Sequence, residues 1–178
     1  MTITDKYVLF FGNDWPSNFV SSPITVYDDF WEKGLFGNEP YFPPTVTFKT
    51  AEAYFQSRKA VFSNDRESYY KIAFAQTPAE TKKIARGIKL NSREWDKVRV
   101  RYMEETVRLK FSQNPHLLEK LLDPKFDDKI FVEASPWDRF WGVGVKESDF
   151  KDEDIGHGLN MLGKILTNFR FNELKKKR

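Results

Sequence analysis

The sequence of 178 residues contains no cysteine and only two histidines, His116 and His157. The absence of cysteine excludes disulfides, zinc–thiolate sites and cysteine nucleophiles, although it leaves the cellular compartment open. Two histidines argue against a histidine-based metal site. We therefore predict a protein that uses neither a metal ion nor a cofactor.

Long apolar runs are also missing. No stretch approaches the ~20 apolar residues of a membrane span. The N-terminus, MTITDKYVLFFG, lacks the basic segment and long apolar stretch of a signal peptide. We expect a soluble, cytoplasmic protein that does not enter a membrane.

Aromatic and charged residues, in contrast, are plentiful, at 16% and 31% of the chain. So many large rings need burial or a stacking partner. The net charge of +3 suits an anionic small molecule or a nucleic-acid contact without requiring either. The length fits one domain, which we predict to span 1–178 and to end in a solvated basic tail at 175–178.

Hydrophobic periodicity predicts an α+β fold dominated by helices, with a few short strands. Short apolar runs predict strands in KYVLFFG (6–12), ITVY, TVTF and KIFVEA. Helical spacing predicts helices in 51–61, RESYYKIAFA, TPAETKKIARGIK, NSREWDKVRVRYMEETVRLKF, PHLLEKLLD and LNMLGKILTNFRFNEL. Thr50, Thr77 and Asn91 are the expected N-caps. Residues 28–44 form a long insert of the kind that serves as a lid or binding loop.

The stretch TAEAYFQSRKA places Glu52, Gln56 and Lys59 along one side of a predicted helix. Seven residues rotate a helix by about 700° and advance it by ~10.5 Å, so Glu52 and Lys59 share a face. The spacing is too long for a routine helix salt bridge but suits a small ligand between the two charged groups. A solvated polar stripe is the alternative on this pattern alone.

Two further segments place polar groups among aromatic rings. WPSNF contains Ser17 and Asn18, and WDRFWGVG contains Asp138, Trp141 and Gly142. Glycine in the second segment allows the backbone to approach a ligand closely. The alternative for that segment is a surface turn packed with aromatic rings.

Six segments follow one another along nearly the whole chain: SNF (17–19), EAYFQSRK (52–59), PAETKKIARG (78–87), REWDKVRVRYMEETVRLKF (93–111), FVEASPWDRFWGVG (131–144) and GLNMLGKIL (158–166). In this order they resemble the NADAR, or YbiA-like, N-glycosidase family. The chain departs from many members at Ala53 and Thr167, where histidine and methionine are usual. The 28–44 insert is the larger departure, because it could reshape the mouth of a pocket.

The resemblance implies a YbiA-like fold and a hydrolase that cleaves N-glycosidic bonds. Two substrate groups are associated with the family: phosphorylated ribosylaminopyrimidine intermediates of riboflavin biosynthesis, and ADP-ribose attached to guanine. A phosphorylated ribosyl or ADP-ribosyl substrate is therefore the expected partner, and ADP-ribosylated nucleic acid is a further candidate. The alternative is a non-catalytic module that binds or senses ADP-ribose or another NAD-derived ligand. This alternative is based on the 28–44 insert.

Motifs and local patterns together predict the site residues. Glu52, Asp138 and Lys59 are the predicted catalytic residues. The predicted substrate-binding residues are Ser17, Asn18, Gln56, Trp95, Trp141, Gly142 and Asn160. Helical spacing alone favours Trp95 as a core anchor, whereas the motif match favours a position in the pocket wall, where its indole stacks on a base. Trp95 and Asp138 are then expected on the side of the site opposite Glu52. For the phosphate, the candidates are Arg58, Arg86 and Arg139.

Two routes are open for the chemistry. Breaking the C1–N bond of a ribose builds positive charge on the sugar ring in an oxocarbenium-like transition state. A nearby carboxylate either stabilises that charge or activates the water molecule that attacks C1. Glu52 and Asp138 are the candidate carboxylates. Alternatively, a neutral Lys59 amine attacks C1 and forms a Schiff base, provided that burial or a neighbouring cation lowers its pKa.

Overall fold

The computed structural model describes residues 1–28 and 45–177. In chain order its strands and α-helices are β1 (Thr2–Ile3), β2 (Tyr7–Phe10), β3 (Ser21–Tyr27), β4 (Thr45–Thr50), α1 (Ala51–Phe62), α2 (Arg66–Phe74), α3 (Pro78–Gly87), α4 (Ser92–Gln113), α5 (Pro115–Leu121), β5 (Ile130–Glu133) and α6 (Met161–Lys176). The predicted α+β fold, dominated by helices with a few short strands, is confirmed. The predicted binding loop at 28–44 lies outside the described residues, apart from Asp28.

The chain divides into two compact units. The first comprises Met1–Val20 and the chain from Asn114 onward, and the second comprises Ser21–Gln113. A single domain over 1–178 stays a prediction. Among the described residues, no helix is long and apolar enough to cross a membrane.

The first unit is built on a three-stranded sheet with β2 in the middle. β2 is antiparallel to β1 and parallel to β5, with Val8 opposite Phe131. All of β2 is buried, as its continuous apolar run predicts. Helix α6 packs on β5 at Gly163, where a Cβ would lie 2.1 Å from the carbonyl oxygen of Phe131. The close approach of this helix to the strand therefore requires glycine at that position.

The second unit joins the antiparallel pair β3 and β4 to helices α1–α4. α1 follows β4 directly and packs against α2, α3 and α4. Every residue from Ala51 to Ser57 is buried. The ring of Phe48 lies edge-on to Tyr54 and Tyr69, with centroids 5.6 and 6.0 Å away. α1 is therefore the central helix of this unit, which explains why it carries few exposed residues.

The predicted N-caps start the helices of the second unit. Thr50 Oγ1 accepts a hydrogen bond from the backbone N–H of Ala53 at 3.1 Å, which satisfies a free donor in the first turn of α1. Thr77 Oγ1 accepts one from Glu80 in the same way, also at 3.1 Å. Asn91 caps α4 through its side-chain oxygen. Local side-chain chemistry thus sets where these three helices begin.

Candidate active site

Glu52 lies in the first turn of α1 and is only 6% exposed. The side-chain amide of Gln56, which is equally buried, donates to Glu52 Oε1 at 2.9 Å. Burying a carboxylate is costly unless it is hydrogen-bonded or paired. The alternative of a solvated polar stripe is therefore wrong for these two residues.

The carbonyl oxygen of the Gln56 side chain leaves the buried hydrogen-bond network incomplete. Gln56 Oε1 is buried and has no hydrogen-bond partner among the described residues. An acceptor left in this state costs about 1–3 kcal/mol, so native proteins rarely bury one without a use. The side chain offers an acceptor, next to Glu52, for a donor on a bound ligand or water.

Lys59 lies in the last turn of α1 and is half-buried. Burial lowers the pKa of its amine below the ordinary value, and the neighbouring charges of Lys82 and Arg99 lower it further, whereas the Glu52 charge raises it. Glu52 and Lys59 thus act on each other electrostatically, as their shared helix face predicts. A lowered pKa increases the neutral fraction of the amine, which is the form that attacks carbon.

Trp95, in the first turns of α4, is 4% exposed and surrounded by rings. Phe55 and Phe62 of α1 approach it with centroids 5.8 and 5.5 Å away, and Tyr102 stacks on it at 5.5 Å with planes 15° apart. Trp95 therefore joins α4 to α1 as a core anchor. Its stacking on a substrate base stays a prediction.

In the first unit, Asp138 shapes the WDRFWGVG segment. Its Oδ1 accepts hydrogen bonds from the backbone N–H groups of Phe140 at 2.9 Å and Trp141 at 2.8 Å. The rings of these two residues meet edge to face at 4.7 Å, and Trp137 is 84% exposed. The segment is a turn held by an aspartate side chain, so one carboxylate oxygen of Asp138 has a structural role.

Asn160 and Gly142 join this turn to β5 and α6. Asn160 Nδ2 donates to the carbonyl of Phe131 at 2.9 Å, and its Oδ1 accepts from the N–H of Glu133 at 3.0 Å. The backbone N–H of Asn160 donates to the carbonyl of Gly142 at 3.1 Å. A Cβ on Gly142 would lie 2.6 Å from the carbonyl oxygen of Glu133. Packing thus explains the glycine and the asparagine, and their contacts with substrate stay predictions.

Ser17 and Asn18 are 2% and 5% exposed. Ser17 Oγ accepts a hydrogen bond from the N–H of Phe19 at 3.3 Å, which stabilises the loop after β2. Nearby, Trp15 packs against Phe131 with ring centroids 6.1 Å apart. The structure shows these residues as part of a well-packed loop, and their substrate contacts stay predictions.

The sequence analysis named Arg58, Arg86 and Arg139 as candidate phosphate ligands and did not identify Lys82 and Arg99, whose charges act on Lys59. Arg58 Nη2 donates to Asp28 Oδ2 at 2.5 Å, so its guanidinium is already in an ion pair. The two missed residues belong to α3 and α4. Their charges act on Lys59 because α3 and α4 pack against α1, and no local sequence pattern predicts that packing.

No group of three or more histidine, aspartate or glutamate side chains in the described parts of the chain is arranged to hold a metal ion. The candidate side chains themselves carry carboxylate, amide and amine groups, which serve acid–base and nucleophilic chemistry. Within the second unit, this chemistry is concentrated on α1, at Glu52, Gln56 and Lys59.

The fold is similar to that of a solved structure. The solution structure of the Escherichia coli protein YbiA superposes with a TM-score of 0.69, at 23% sequence identity, over 99% of this chain and 89% of that one. This similarity confirms the YbiA-like fold that the sequence motifs predict.

Curated relatives cover most of the chain. An N-glycosidase of Acanthamoeba polyphaga mimivirus is 31% identical over 94% of this chain and 96% of its own length. An N-glycosidase of Nostoc punctiforme is 33% identical over 85% of this chain and 86% of its own. The riboflavin biosynthesis protein PYRR of Zea mays is 32% identical over 86% of this chain, which spans 22% of that protein.

These names confirm the predicted enzyme class, a hydrolase acting on N-glycosyl bonds. The NADAR domain family model matches residues 5–174. The six ordered motifs, the fold and this match over nearly the full length agree, and the chain belongs to the NADAR domain family.

Proposed function

We propose that this protein hydrolyses the C1–N bond between a phosphorylated ribose and a base. The observation that carries the proposal is a buried carboxylate, Glu52, hydrogen-bonded to Gln56 and acting electrostatically on a half-buried amine, Lys59. A basic group whose pKa is lowered by burial, as that of Lys59 is, is typical of catalytic sites. The riboflavin biosynthesis relative supports a ribosylaminopyrimidine phosphate as the first substrate to test, and ADP-ribosyl-guanine is the second.

In the water route, Glu52 acts as a general base. Its carboxylate takes a proton from a water molecule as the water oxygen bonds to C1 of the ribose. The C1–N bond breaks, its electrons pass to the base, and the base nitrogen takes up a proton. The products are the free sugar phosphate and the free base.

In the amine route, the neutral Lys59 Nζ bonds to C1 as the C1–N bond breaks, and the leaving base takes up a proton. Opening of the sugar ring gives a Schiff base, and water then releases the sugar and restores the amine. The lowered pKa of Lys59 supports this route, because less of the amine is held as ammonium. Glu52 lies on the same helix face, which supports a role for its carboxylate in the proton transfers.

Asp138 stays a predicted second carboxylate. Two backbone donors occupy its Oδ1, so its other oxygen is the one available for chemistry. The alternative function, a non-catalytic ADP-ribose binding module, was based on the 28–44 insert and also stays a prediction.

The direct test is Glu52→Gln, which removes the charge but keeps the size of the side chain. We expect release of free base to fall by ~100-fold or more, since general acid–base groups contribute on this scale. Turnover is measured by mass spectrometry with ribosylaminopyrimidine phosphates and, in parallel, with ADP-ribosyl-guanine in DNA. Glu67→Gln is the matched control, because this side chain is 73% exposed on α2. Unchanged turnover in Glu52→Gln would show that Glu52 is not catalytic.

Borohydride trapping in the same assay separates the two routes. The amine route predicts a covalent sugar adduct on Lys59 in the wild-type protein and no adduct in Lys59→Gln. Turnover without any adduct would support attack by water instead.

A further inference from the structure

We propose that Gln56 is a positioning residue that uses both ends of its side-chain amide. Its N–H group holds the Glu52 carboxylate, and its carbonyl oxygen accepts a hydrogen bond from an O–H group beside that carboxylate. The O–H group belongs either to the attacking water or to the ribose. The inference rests on the proposed function and specifies how the site orients the oxygen next to Glu52.

The donor end of the amide is fixed by its place on α1. Glu52 and Gln56 are four residues apart, which makes their side chains neighbours on one helix face. Gln56 Nε2 donates to Glu52 Oε1 at 2.9 Å, and both side chains are 6% exposed. An ionised carboxylate only accepts hydrogen bonds, and the reverse orientation of the amide would bring two acceptors together. Glu52 therefore decides which end of the Gln56 amide faces it.

The acceptor end of the same amide is buried and unsatisfied. Gln56 Oε1 has no hydrogen-bond partner in the part of the chain that the structure describes. Gln113 and Asn160, by contrast, bind the backbone with both ends of their amides. A glutamine that served only the stability of α1 would gain nothing from a buried oxygen without a partner, because such a group is destabilising. The oxygen of Gln56 therefore suits a donor that is bound from solution.

The distances allow one oxygen to contact both residues. The two polar atoms of an amide are bonded to the same carbon and lie at most ~2.6 Å apart, so Gln56 Oε1 lies within about 5.5 Å of Glu52 Oε1. Hydrogen bonds between oxygens extend to ~3.0 Å, so one oxygen reaches two acceptors that are up to about 6 Å apart. A carboxylate accepts about four hydrogen bonds, and the one from Gln56 does not preclude another.

Two neighbouring acceptors require two O–H donors. A water molecule carries both on one oxygen, and binding its two hydrogens leaves a lone pair of that oxygen to bond to C1 while Glu52 takes one proton. The neighbouring hydroxyls of a ribose supply one donor each and hold the sugar against the carboxylate. In either case Gln56 fixes the position of an oxygen beside Glu52 and exchanges no proton itself.

Kinetics of Gln56→Met test the positioning role, because methionine keeps the length of the side chain and removes both polar ends. We expect kcat for base release from ribosylaminopyrimidine phosphate to fall about tenfold or more, the scale of one hydrogen bond to a charged group. Gln113→Met is the matched control, since both ends of that amide bind the backbone of Thr25, at 2.8 and 2.9 Å. The control should lower the unfolding midpoint and leave kcat unchanged. The unfolding midpoint of Gln56→Met establishes that this variant is folded.

Two further measurements distinguish water from ribose and require no turnover. A crystal structure of the protein grown with ribose 5-phosphate should show an oxygen within hydrogen-bond distance of Gln56 Oε1, and it identifies that oxygen as water or sugar. Calorimetry compares ribose 5-phosphate with 2-deoxyribose 5-phosphate. A preference of about tenfold for the ribose form that is lost in Gln56→Met assigns the donor to the sugar. Equal binding of the two sugars, with a water at Gln56 Oε1 in the crystal, assigns it to water.

The outcomes separate this proposal from the proposed function. A crystal structure with no oxygen within hydrogen-bond distance of Gln56 Oε1 would overturn the positioning role. A folded Gln56→Met variant that releases base as fast as wild type would overturn it as well. Wild-type protein that releases no base contradicts the proposed function instead, and the crystal structure then decides by itself whether Gln56 holds an O–H donor.

Discussion

Within each unit, buried polar side chains stabilise the structure through hydrogen bonds to specific partners. Asp28 Oδ2 accepts from Arg58 and from the hydroxyl of Tyr69, at 2.5 and 2.6 Å. Asn160 binds the backbone of β5 with both ends of its amide. Removing one partner of such a pair leaves the other buried and unsatisfied, which costs more than the pair itself contributes. A substitution at one of these side chains is therefore expected to cost more than the hydrogen bond that it removes.

Asn160→Ala tests whether this side chain serves the fold or the substrate. We expect the free energy of unfolding to fall by about 2–4 kcal/mol, because two buried hydrogen bonds are lost and alanine is strained in the left-handed region. The backbone of Asn160 has φ of 49°. Urea unfolding is the measurement, and Asn172→Ala, at an exposed position on α6, is the control. A variant of normal stability with a raised KM would instead assign Asn160 to substrate binding.

At the scale of elements, α1 combines the predicted chemistry with a largely buried position in its unit. Its start is fixed by Thr50, and its length is packed against three helices. Glu52 is the second residue of the helix, so the geometry of the first turn sets the position of the carboxylate. Loss of the cap should therefore affect both stability and turnover.

Thr50→Ala is expected to lower the free energy of unfolding by about 1 kcal/mol, the usual cost of removing an N-cap hydroxyl. Turnover should fall as well, because fraying of the first turn displaces Glu52. Chemical denaturation and the base-release assay measure the two effects. Thr50→Ser keeps the hydroxyl and should retain most of both. Equal losses in the serine variant would show that the methyl group, rather than the cap, is responsible.

Periodicity and caps predicted these elements correctly because they depend on neighbours within a turn or two. Thr50, Thr77 and Asn91 were identified from their place before an apolar pattern, and each caps its helix. The approach of Lys82 and Arg99 to Lys59 was missed, because it depends on how α3 and α4 pack against α1. The sequence likewise contains nothing that commits Arg58 to Asp28, thirty residues earlier.

At the scale of the molecule, Lys110 of α4 couples stability to pH, since its side chain is 0% exposed. Burial lowers the pKa of its amine to about 7. A lysine in the unfolded chain titrates near ~10.4, so the unfolded state binds more protons than the folded state between these two values. Stability therefore rises with pH in this window.

Urea unfolding between about pH 7 and about pH 9 should show this rise, on the order of 1–2 kcal/mol, since one pKa unit corresponds to ~1.4 kcal/mol. Lys110→Met should flatten the dependence, whereas Lys97→Met, at an exposed position on the same helix, should not. At higher pH the trend reverses, because burial raises the pKa of Tyr54 to about 12 and the unfolded tyrosine ionises first. A wild-type profile that is flat from neutral to mildly alkaline pH would contradict the assignment.

The sequence by itself determined the elements, their caps, the family and the shared face of Glu52 and Lys59, since these follow from spacing along one chain and from motif order. The tertiary structure decided which of those side chains are buried and what they touch. It showed that Glu52 and Gln56 are hydrogen-bonded out of solvent, that Trp95 is enclosed by rings, and that Asp138 holds a turn. Burial and charge neighbourhoods depend on residues far apart in sequence, and only folding brings those together.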